Sequence, residues 1–358
     1  MKVGIVGLPN AGKSTLFNAL TRAGAETGDY AFTTINPNVA VVGVPDERLE
    51  RVAATVGSSE VVHETIEFHD IAGLVRGASA GEGLGNKFLA AIRETDAICH
   101  VVRCHSAGGV PHPEGRVDPR DDIELIETEL LAADLEQAER RLERVTKQAR
   151  SGDKEAIAER GWLEQVVNAL AGGRPAREVA VPAAAADAPR RLFALTSKPI
   201  LYVANVDEGV ETVPEAMLEH ATSAGAVAVA ISARLESELG ELGDDDEAEE
   251  MRAELGVAES GLARLIHAAF QLLELIVFFT ADEDKEAMAR SVRKGSTAWE
   301  AAGKIHTEIQ RAFVRAEVVG WNDLVEAGGY VAARDRGLLR TEGRTYEVAD
   351  GDVLTVKV

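Results

Sequence analysis

The eight residues GLPNAGKS, Gly7 to Ser14, constrain this chain more than any other stretch. They match G-x-x-x-x-G-K-[ST], and they stand where such a loop has to stand. The apolar run KVGIV (2–6) before them reads as a buried strand, and STLFNALT after them reads as the start of a helix. In that setting glycines let backbone N–H groups turn toward phosphate oxygens, and the helix N-terminus adds partial positive charge. Asn10, Ala11, Gly12, Lys13, Ser14 and Thr15 are therefore the expected phosphate-binding segment. Lys13 is placed to reach the β- and γ-phosphates, and the Ser14 hydroxyl to ligate Mg2+.

Two further segments fit the same chemistry. DIAG, Asp70 to Gly73, ends a second apolar strand and matches the Asp-x-x-Gly that senses the last phosphate. Asp70 is expected to hold Mg2+ through water, and the Gly73 N–H to face the γ-phosphate. Between the two motifs lies FTTINPN (32–38), whose Thr34, with Thr33 as the alternate, would complete the metal shell in the triphosphate state. In Ras-type enzymes a water-orienting glutamine follows Asp-x-x-Gly. Here that residue is Leu74, which has no polar group to orient water.

A strand PILYVAN (199–205) leads into Asn205, Val206, Asp207 and Glu208, where a guanine-reading protein of this class has Asn-Lys-x-Asp. Val206 supplies neither the packing nor the charge of the lysine, and Glu208 is one methylene longer than aspartate. Guanine reading is thus impaired on chemical grounds alone. SAR (232–234), with Ser232 first, is the expected last base-binding loop.

Organisation along the chain supports an α/β class. Strand-like runs at 2–6, 65–70, 97–103, 199–205 and 226–232 alternate with helical patterns, as in a mostly parallel sheet with its ligand at the strands' C-terminal ends. NVAVVGVPD (38–46) reads as one further strand, a candidate antiparallel addition. From 121 to about 190 the alternation stops. Ile123, Ile126, Leu130, Leu131, Leu135 and Leu142 recur at helical spacing, SGD (151–153) interrupts, and a second helical pattern follows. This is the signature of an inserted helical hairpin, a candidate short antiparallel coiled coil, suited either to a partner surface or to a solvated scaffold. From about 275 strand-like runs surround one helix at 297–310, with Thr297 and Glu300 spaced as a capping box. The expected division is 1–275 and 276–358.

Charge narrows the partners. With 38 basic and 60 acidic residues the formal net charge is -22, so any RNA contact must come from a local patch. The acidic run GDDDEAEEM (243–251) reads as a solvated loop entering a helix. No segment has the roughly 18 apolar residues of a membrane span. The N-terminus reads as a strand rather than a signal peptide, so the expected location is cytoplasmic. Cys99 and Cys104 lack a second ligand pair for zinc and read as free thiols.

Taken together, GLPNAGKSTLFNALT, DIAGLVRGASAGEGLGNKFLAAIRETDAICHVVRC and NVDE resemble the Obg-like ATPase (YchF) family, and the likeness runs nearly end to end. The resemblance implies a Ras-like, Obg-type P-loop domain with the coiled-coil hairpin insert and a C-terminal β-grasp (TGS) domain, the last carried by AAGKIHTEIQRAFVRAEVV and YEVADGDVLTVKV. It further implies an ATPase that prefers ATP over GTP, needs Mg2+, associates with ribosomes and regulates translation or stress response. The chain is expected to be a monomer that binds neither membrane nor specific DNA sequences. Adenine preference would come from Asn205 and from backbone groups near Val206. The alternatives are a true Obg-type GTPase, or a nucleotide-gated ribosome-binding module with incidental hydrolysis. Many relatives have cysteine before the switch threonine; Thr33 here argues against redox control at that position. In related GTPases lacking the glutamine, an asparagine at the Asn10 position holds potassium, which makes K+ a second candidate cofactor. For the missing water-positioning group, the loop HSAGGVPHPEGRVDP (105–119) carries His105 and His112, and the family has a histidine at the His112 position. His112 is the expected catalytic partner of Lys13.

Overall fold

The computed structural model describes all residues except 27–37, 72–83, 106–114, 243–244 and 258. Its strands are β1 (Lys2–Val6), β2 (Val39–Val44), β3 (Glu60–Val62), β4 (Glu64–Asp70), β5 (Ala97–Arg103), β6 (Ile200–Asn205), β7 (Val227–Ile231), β8 (Leu275–Ala281), β9 (Glu286–Arg293), β10 (Arg315–Gly320), β11 (Arg340–Glu342) and β12 (Asp352–Lys357). The α-helices are α1 (Lys13–Glu26), α2 (Glu47–Val56), α3 (Leu84–Arg93), α4 (Pro119–Ala149), α5 (Lys154–Ala171), α6 (Ala188–Leu192), α7 (Glu215–Ser223), α8 (Ala233–Leu239), α9 (Asp245–Glu254), α10 (Gly261–Leu272), α11 (Ala298–Ile305), α12 (Thr307–Arg311), α13 (Trp321–Ala327) and α14 (Tyr330–Asp335). They divide between two compact units.

The first unit contains Met1–Glu26 and Glu67–Leu272. Its sheet runs β2-β4-β1-β5-β6-β7, and β1, β4, β5, β6 and β7 pair in parallel. The Asp70 N–H donates to the Asn38 carbonyl, 2.9 Å, which sets the start of β2 against the end of β4 in the expected antiparallel sense. Every residue of β5 and β6 is buried, as a continuous apolar run in the middle of a parallel sheet requires. Cys99 lies inside β5 and Cys104 just after it, both free. Burial pushes both thiols up to about 12, so neither is a thiolate at neutral pH.

The hairpin is real, and its long helix belongs to two cores. Asp118 caps α4 through the Arg120 and Asp121 N–H groups, and Asp153 caps α5 through Glu155 and Ala156. The turn between the helices is closed by Gly152 at φ 85, a backbone conformation that glycine adopts without strain. Ile123, Ile126 and Leu130, at the start of α4, pack with Val102, Tyr202 and Met217 beside the sheet. Beyond them Ala138, Val145 and Ala149 pack with Trp162, Leu163 and Val166 of α5. The apolar stripe seen in the sequence is therefore two consecutive stripes. A buried carboxylate marks the change: Asp134 accepts from the Leu195 and Thr196 N–H groups, both at 2.8 Å, and from the Thr196 hydroxyl.

The second unit contains Val42–Ile66 and Leu273–Val358. Its sheet runs β11-β10-β12-β8-β9-β3. The N-terminal segment adds β3, parallel to β9, and α2, whose Arg51 guanidinium stacks over Trp321 at 5.0 Å. Nothing in the C-terminal sequence announces this addition. The capping box is present: Glu300 N–H donates to the Thr297 hydroxyl, and the Thr297 N–H donates to Glu300. The expected single helix at 297–310 is corrected to two, because His306 leaves helical geometry (φ -165, ψ 144) and caps a new helix, α12. Two further helices, α13 and α14, follow β10. The acidic run at 243–251 enters α9 at Asp245, and no helix among the described residues is long and apolar enough to cross a membrane.

Candidate functional site

The loop after β1 wraps a single ammonium group. Lys13 is only 8% exposed, and its Nζ donates to the Leu8 carbonyl at 2.8 Å, across the loop that encloses it. Burial pushes the lysine below its ordinary range, while the nearby Asp70 carboxylate pulls it back up. Asp70 mirrors this: partial burial raises it and Lys13 lowers it. Each group favours the charged form of the other, against the burial that disfavours both. The first turn of α1 contains no acidic side chain, so the positive end of the helix is left for an external anion.

Backbone conformation explains the residue types in the loop. Gly7 has φ +155, and a Cβ there would lie 2.4 Å from the Val101 carbonyl oxygen. Gly12 has φ +99, and a Cβ would lie 2.1 Å from Asn205 Nδ2. Asn10 has φ 64, a left-handed conformation that asparagine tolerates better than most residues. The asparagine that suggested a potassium ligand thus has a backbone reason to be there as well.

Asn205 ties the two halves of the site together. Its Nδ2 donates to the Ala11 carbonyl at 3.0 Å, and its Oδ1 accepts from the Ala233 N–H at 3.1 Å. The residue is 6% exposed. Its amide therefore clamps the phosphate loop to the loop at Ser232, and its first role is positional. Ser232 caps α8 through the Leu235 N–H. Val206 is 5% exposed, packs in the core with Ala204 and Met217, and donates its N–H to the Ile231 carbonyl at 2.9 Å. Among the backbone groups near Val206 from which adenine preference is expected, the Val206 N–H is therefore already engaged. Glu208 stands at the rim, 3.4 Å from Arg234, which pairs more closely with Glu238 at 2.8 Å.

These groups border one cleft of about 560 Å3, whose walls include Lys13, Ser14, Asn205, Glu208 and Ser232. The volume suits a nucleotide-sized ligand. Asp207, Ala233 and Arg234 line it too; the sequence motif treats Asp207 as a spacer and so passes over it. His105 also faces the cleft, and its Nδ1 is buried without a hydrogen-bond partner among the described residues. Burial and Arg103 push His105 below the usual histidine range, and Asp207 opposes them, so the ring is neutral at neutral pH. Below the loop, His100 of β5 is fully buried and pushed down to about 3, chiefly by burial, then by His220 and Lys13. Its ring is therefore neutral at neutral pH. Thr33, Thr34, Gly73, Leu74 and His112 lie outside the described residues.

The donor set fits magnesium held jointly with phosphate. The Ser14 hydroxyl and Asp70 carboxylate are hard oxygen donors. Among the described residues no group of three or more His, Cys, Asp or Glu could hold a metal alone. Mg2+ characteristically keeps few protein ligands and takes the remainder from nucleotide and water.

Comparison with known proteins gives the same picture over the whole chain. Residues 275–358 match the family model YchF-GTPase_C, described as a protein of unknown function (DUF933), and residues 2–147 match a model described as 50S ribosome-binding GTPase. The chain is 47% identical over 361 residues to the ribosome-binding ATPase YchF of Bacillus subtilis, covering 99% of this chain and 98% of that protein. It is 48% identical over 356 residues to the protein of the same name from Haemophilus influenzae, again covering 99% and 98%. Among solved structures, the Schizosaccharomyces pombe YchF GTPase superposes with a TM-score of 0.88 at 34% identity, covering 100% of this chain and 97% of that one. The relatives' names divide between ATPase and GTPase.

Proposed function

The chain belongs to the YchF family, and from that premise we propose that it is a Mg2+-dependent ATPase, preferring ATP over GTP, that binds the ribosome and couples nucleotide state to translation. The observation that carries the nucleotide preference is the base loop. Where guanine readers extend a lysine over the base, Val206 turns into the core. Where they present an aspartate to guanine N1–H and N2–H2, Glu208 stands at the rim beside Arg234. A guanine base thus finds neither the stem that covers it nor an unencumbered carboxylate. Titration of the purified protein with labelled ATP and GTP tests the reading, and equal affinities would overturn it.

Restoring guanine chemistry is the sharper test. Val206→Lys with Glu208→Asp rebuilds Asn-Lys-x-Asp. The double variant is expected to gain about tenfold in GTP affinity, the worth of one good polar contact, and to lose affinity for ATP. An unchanged ratio would place base choice at Asp207 or Ser232.

Lys13 binds and neutralises the β- and γ-phosphate oxygens, and Ser14, Asp70 and Thr34 would hold Mg2+, which supplies charge neutralisation at the phosphates when bound. Gly73 contributes its N–H to the γ-phosphate. Because Leu74 has no polar group, His112 is proposed to position the attacking water, with K+ near Asn10 offsetting developing charge. His112→Ala is expected to lower turnover at least about tenfold, the low side of general-base effects, with ATP affinity nearly unchanged. Wild-type turnover is expected to be faster in KCl than in NaCl. Retained turnover in the variant would remove His112 from the mechanism, and equal rates in the two salts would remove potassium. Residues 276–358 are proposed as the TGS domain, a reading supported by the separate family match that begins at 275. Residues 1–275 are then the nucleotide-binding domain, with the coiled-coil insert at about 121–190.

A further inference from the structure

One nitrogen in the nucleotide cleft has no partner. Buried polar groups are nearly always hydrogen-bonded, so each exception calls for a reason. Of the buried side-chain nitrogens and oxygens left without a partner among the described residues, only His105 Nδ1 belongs to a wall of that cleft. The sheet places this residue. β5 and β6 pair in parallel with Arg103 opposite Asn205, and the Cys104 N–H donates to the Asn205 carbonyl at 2.8 Å. The two chain segments leave the sheet together, so His105 and Asp207 emerge side by side, close enough for the carboxylate to act on the imidazole. His105 therefore stands at the base end of the cleft, with Asn205, Glu208 and Ser232.

Adenine presents an exocyclic amine at C6, where guanine presents a carbonyl. Reading that amine takes an acceptor, and the other side-chain acceptors at the base end already serve the fold. Asn205 Oδ1 accepts from the Ala233 N–H, and its Nδ2 donates to the Ala11 carbonyl. The Ser232 hydroxyl oxygen accepts from the Leu235 N–H at 3.4 Å. Glu208 lies 3.4 Å from Arg234, and Asp207 is not free either. His105 is different. Burial and Arg103 hold its ring in the neutral form, in which one nitrogen is a donor and the other an acceptor. No hydrogen bond at Nδ1 fixes the ring, and the torsion about Cβ–Cγ is broad and roughly two-fold in histidine. Turning it exchanges Nδ1 with Cδ2 and brings the unpartnered nitrogen from the buried side of the ring to the open one.

We propose that His105 is a specificity-determining residue for the base, its imidazole nitrogen accepting a hydrogen bond from the 6-amino group of ATP. The inference rests on the ATP-preferring reading above and deepens it. Val206 and Glu208 account for what guanine loses, and His105 supplies what adenine gains. An acceptor that faces the guanine carbonyl makes no bond and is left unpaired in a closed site, which is how one polar group discriminates between ligands of nearly the same shape. His105 lies outside the phosphate loop, so its nitrogens can be removed without touching Lys13, Ser14 or the Asn205 clamp.

The test varies residue and ligand together. Affinities of the full-length protein are measured, with Mg2+, for ATP, GTP and purine riboside triphosphate, which lacks only the 6-amino group. The proteins are wild type and His105→Phe, which keeps an aromatic ring and removes both nitrogens. Wild type is expected to bind ATP about tenfold more tightly than the purine analogue, the worth of one hydrogen bond. His105→Phe is expected to bind ATP about tenfold more weakly than wild type does, and to bind the purine analogue as wild type does, so that the two ligands become equal. Unchanged affinity for the purine analogue also verifies that the variant folds and holds the triphosphate. Equal wild-type affinities for ATP and GTP would overturn the ATP reading itself. If wild type prefers ATP over GTP but binds ATP and the purine analogue equally, the His105 proposal fails alone, with no variant needed. It fails too if His105→Phe keeps the full preference for ATP over the purine analogue. A variant that weakens all three nucleotides by one factor would make the ring a packing element and overturn the hydrogen bond.

Discussion

Replacing Lys13 by alanine is expected to reduce ATP turnover by at least about a hundredfold, comparable with removing one preorganised donor from a charge-stabilising site, and to weaken triphosphate binding severely. The ammonium is nearly buried, and its one described hydrogen-bond acceptor is the Leu8 carbonyl. A bound phosphate would replace that carbonyl with an anionic acceptor, a charge-assisted bond of roughly twice the strength of a neutral one. The same geometry sets a pH dependence. Burial holds Lys13 below the ordinary lysine range, so the free protein loses this proton earlier on alkaline titration than an exposed lysine would. Phosphate binding favours the protonated form, so ATP affinity is expected to be highest on the acid side and to fall as pH rises through the depressed pKa. Isothermal titration from neutral to alkaline pH measures both effects. A Lys13→Ala variant with wild-type turnover, or an affinity flat across that range, would remove Lys13 from phosphate binding.

Gly12→Ala is expected to be nearly as damaging, although it removes no functional group. The backbone at Gly12 has φ +99, which side chains rarely adopt, and the new Cβ would lie 2.1 Å from Asn205 Nδ2. Relief requires the Asn205 amide to swing away. That breaks its bonds to the Ala11 carbonyl and the Ala233 N–H, leaving polar groups buried and unpaired. The expected cost is on the order of 2–4 kcal/mol of stability, combining backbone strain with a lost buried hydrogen bond. ATP affinity is expected to fall at least about a hundredfold, because the clamp that fixes the phosphate loop against the base loop is released. Thermal unfolding and ATP titration check the two parts separately. A variant with an unchanged midpoint and affinity would show that the clamp can relax freely.

Much of this site is legible in the sequence because its parts are local. The phosphate loop needs glycines at fixed offsets and a lysine beside the helix start, and all of them lie within eight residues. Asp70 is legible because it terminates a strand. What escapes the sequence is set by tertiary pairing. Val206 reads as a substituted specificity residue, but its N–H is committed to Ile231, a partner 25 positions away. Asp207 and His105 reach the cleft because β5 and β6 end side by side, with Arg103 opposite Asn205. A motif that reads along one strand cannot anticipate that neighbour. The second unit shows the same limit at larger scale: its C-terminal strands are visible as apolar runs, while β3 and α2 join from a segment near the N-terminus. The hairpin's two helices are visible from their periodicity, but the division of α4 between two cores is not, since both halves present the same spacing.

That division of α4 gives the hairpin the mechanics of a beam clamped at one end. Its first turns, to Ala133, are fixed in the sheet-side core, Asp134 is held by Leu195 and Thr196, and about 15 further residues extend past that point to the turn. At 1.5 Å per residue the free length is roughly 22 Å. A tilt of about 5° at the clamp carries the tip through roughly 2 Å, enough to break a direct hydrogen bond there. Small angular changes where α4 meets β5 and β6, the strands that end at the nucleotide cleft, are thereby converted at the far end into the making or breaking of individual contacts.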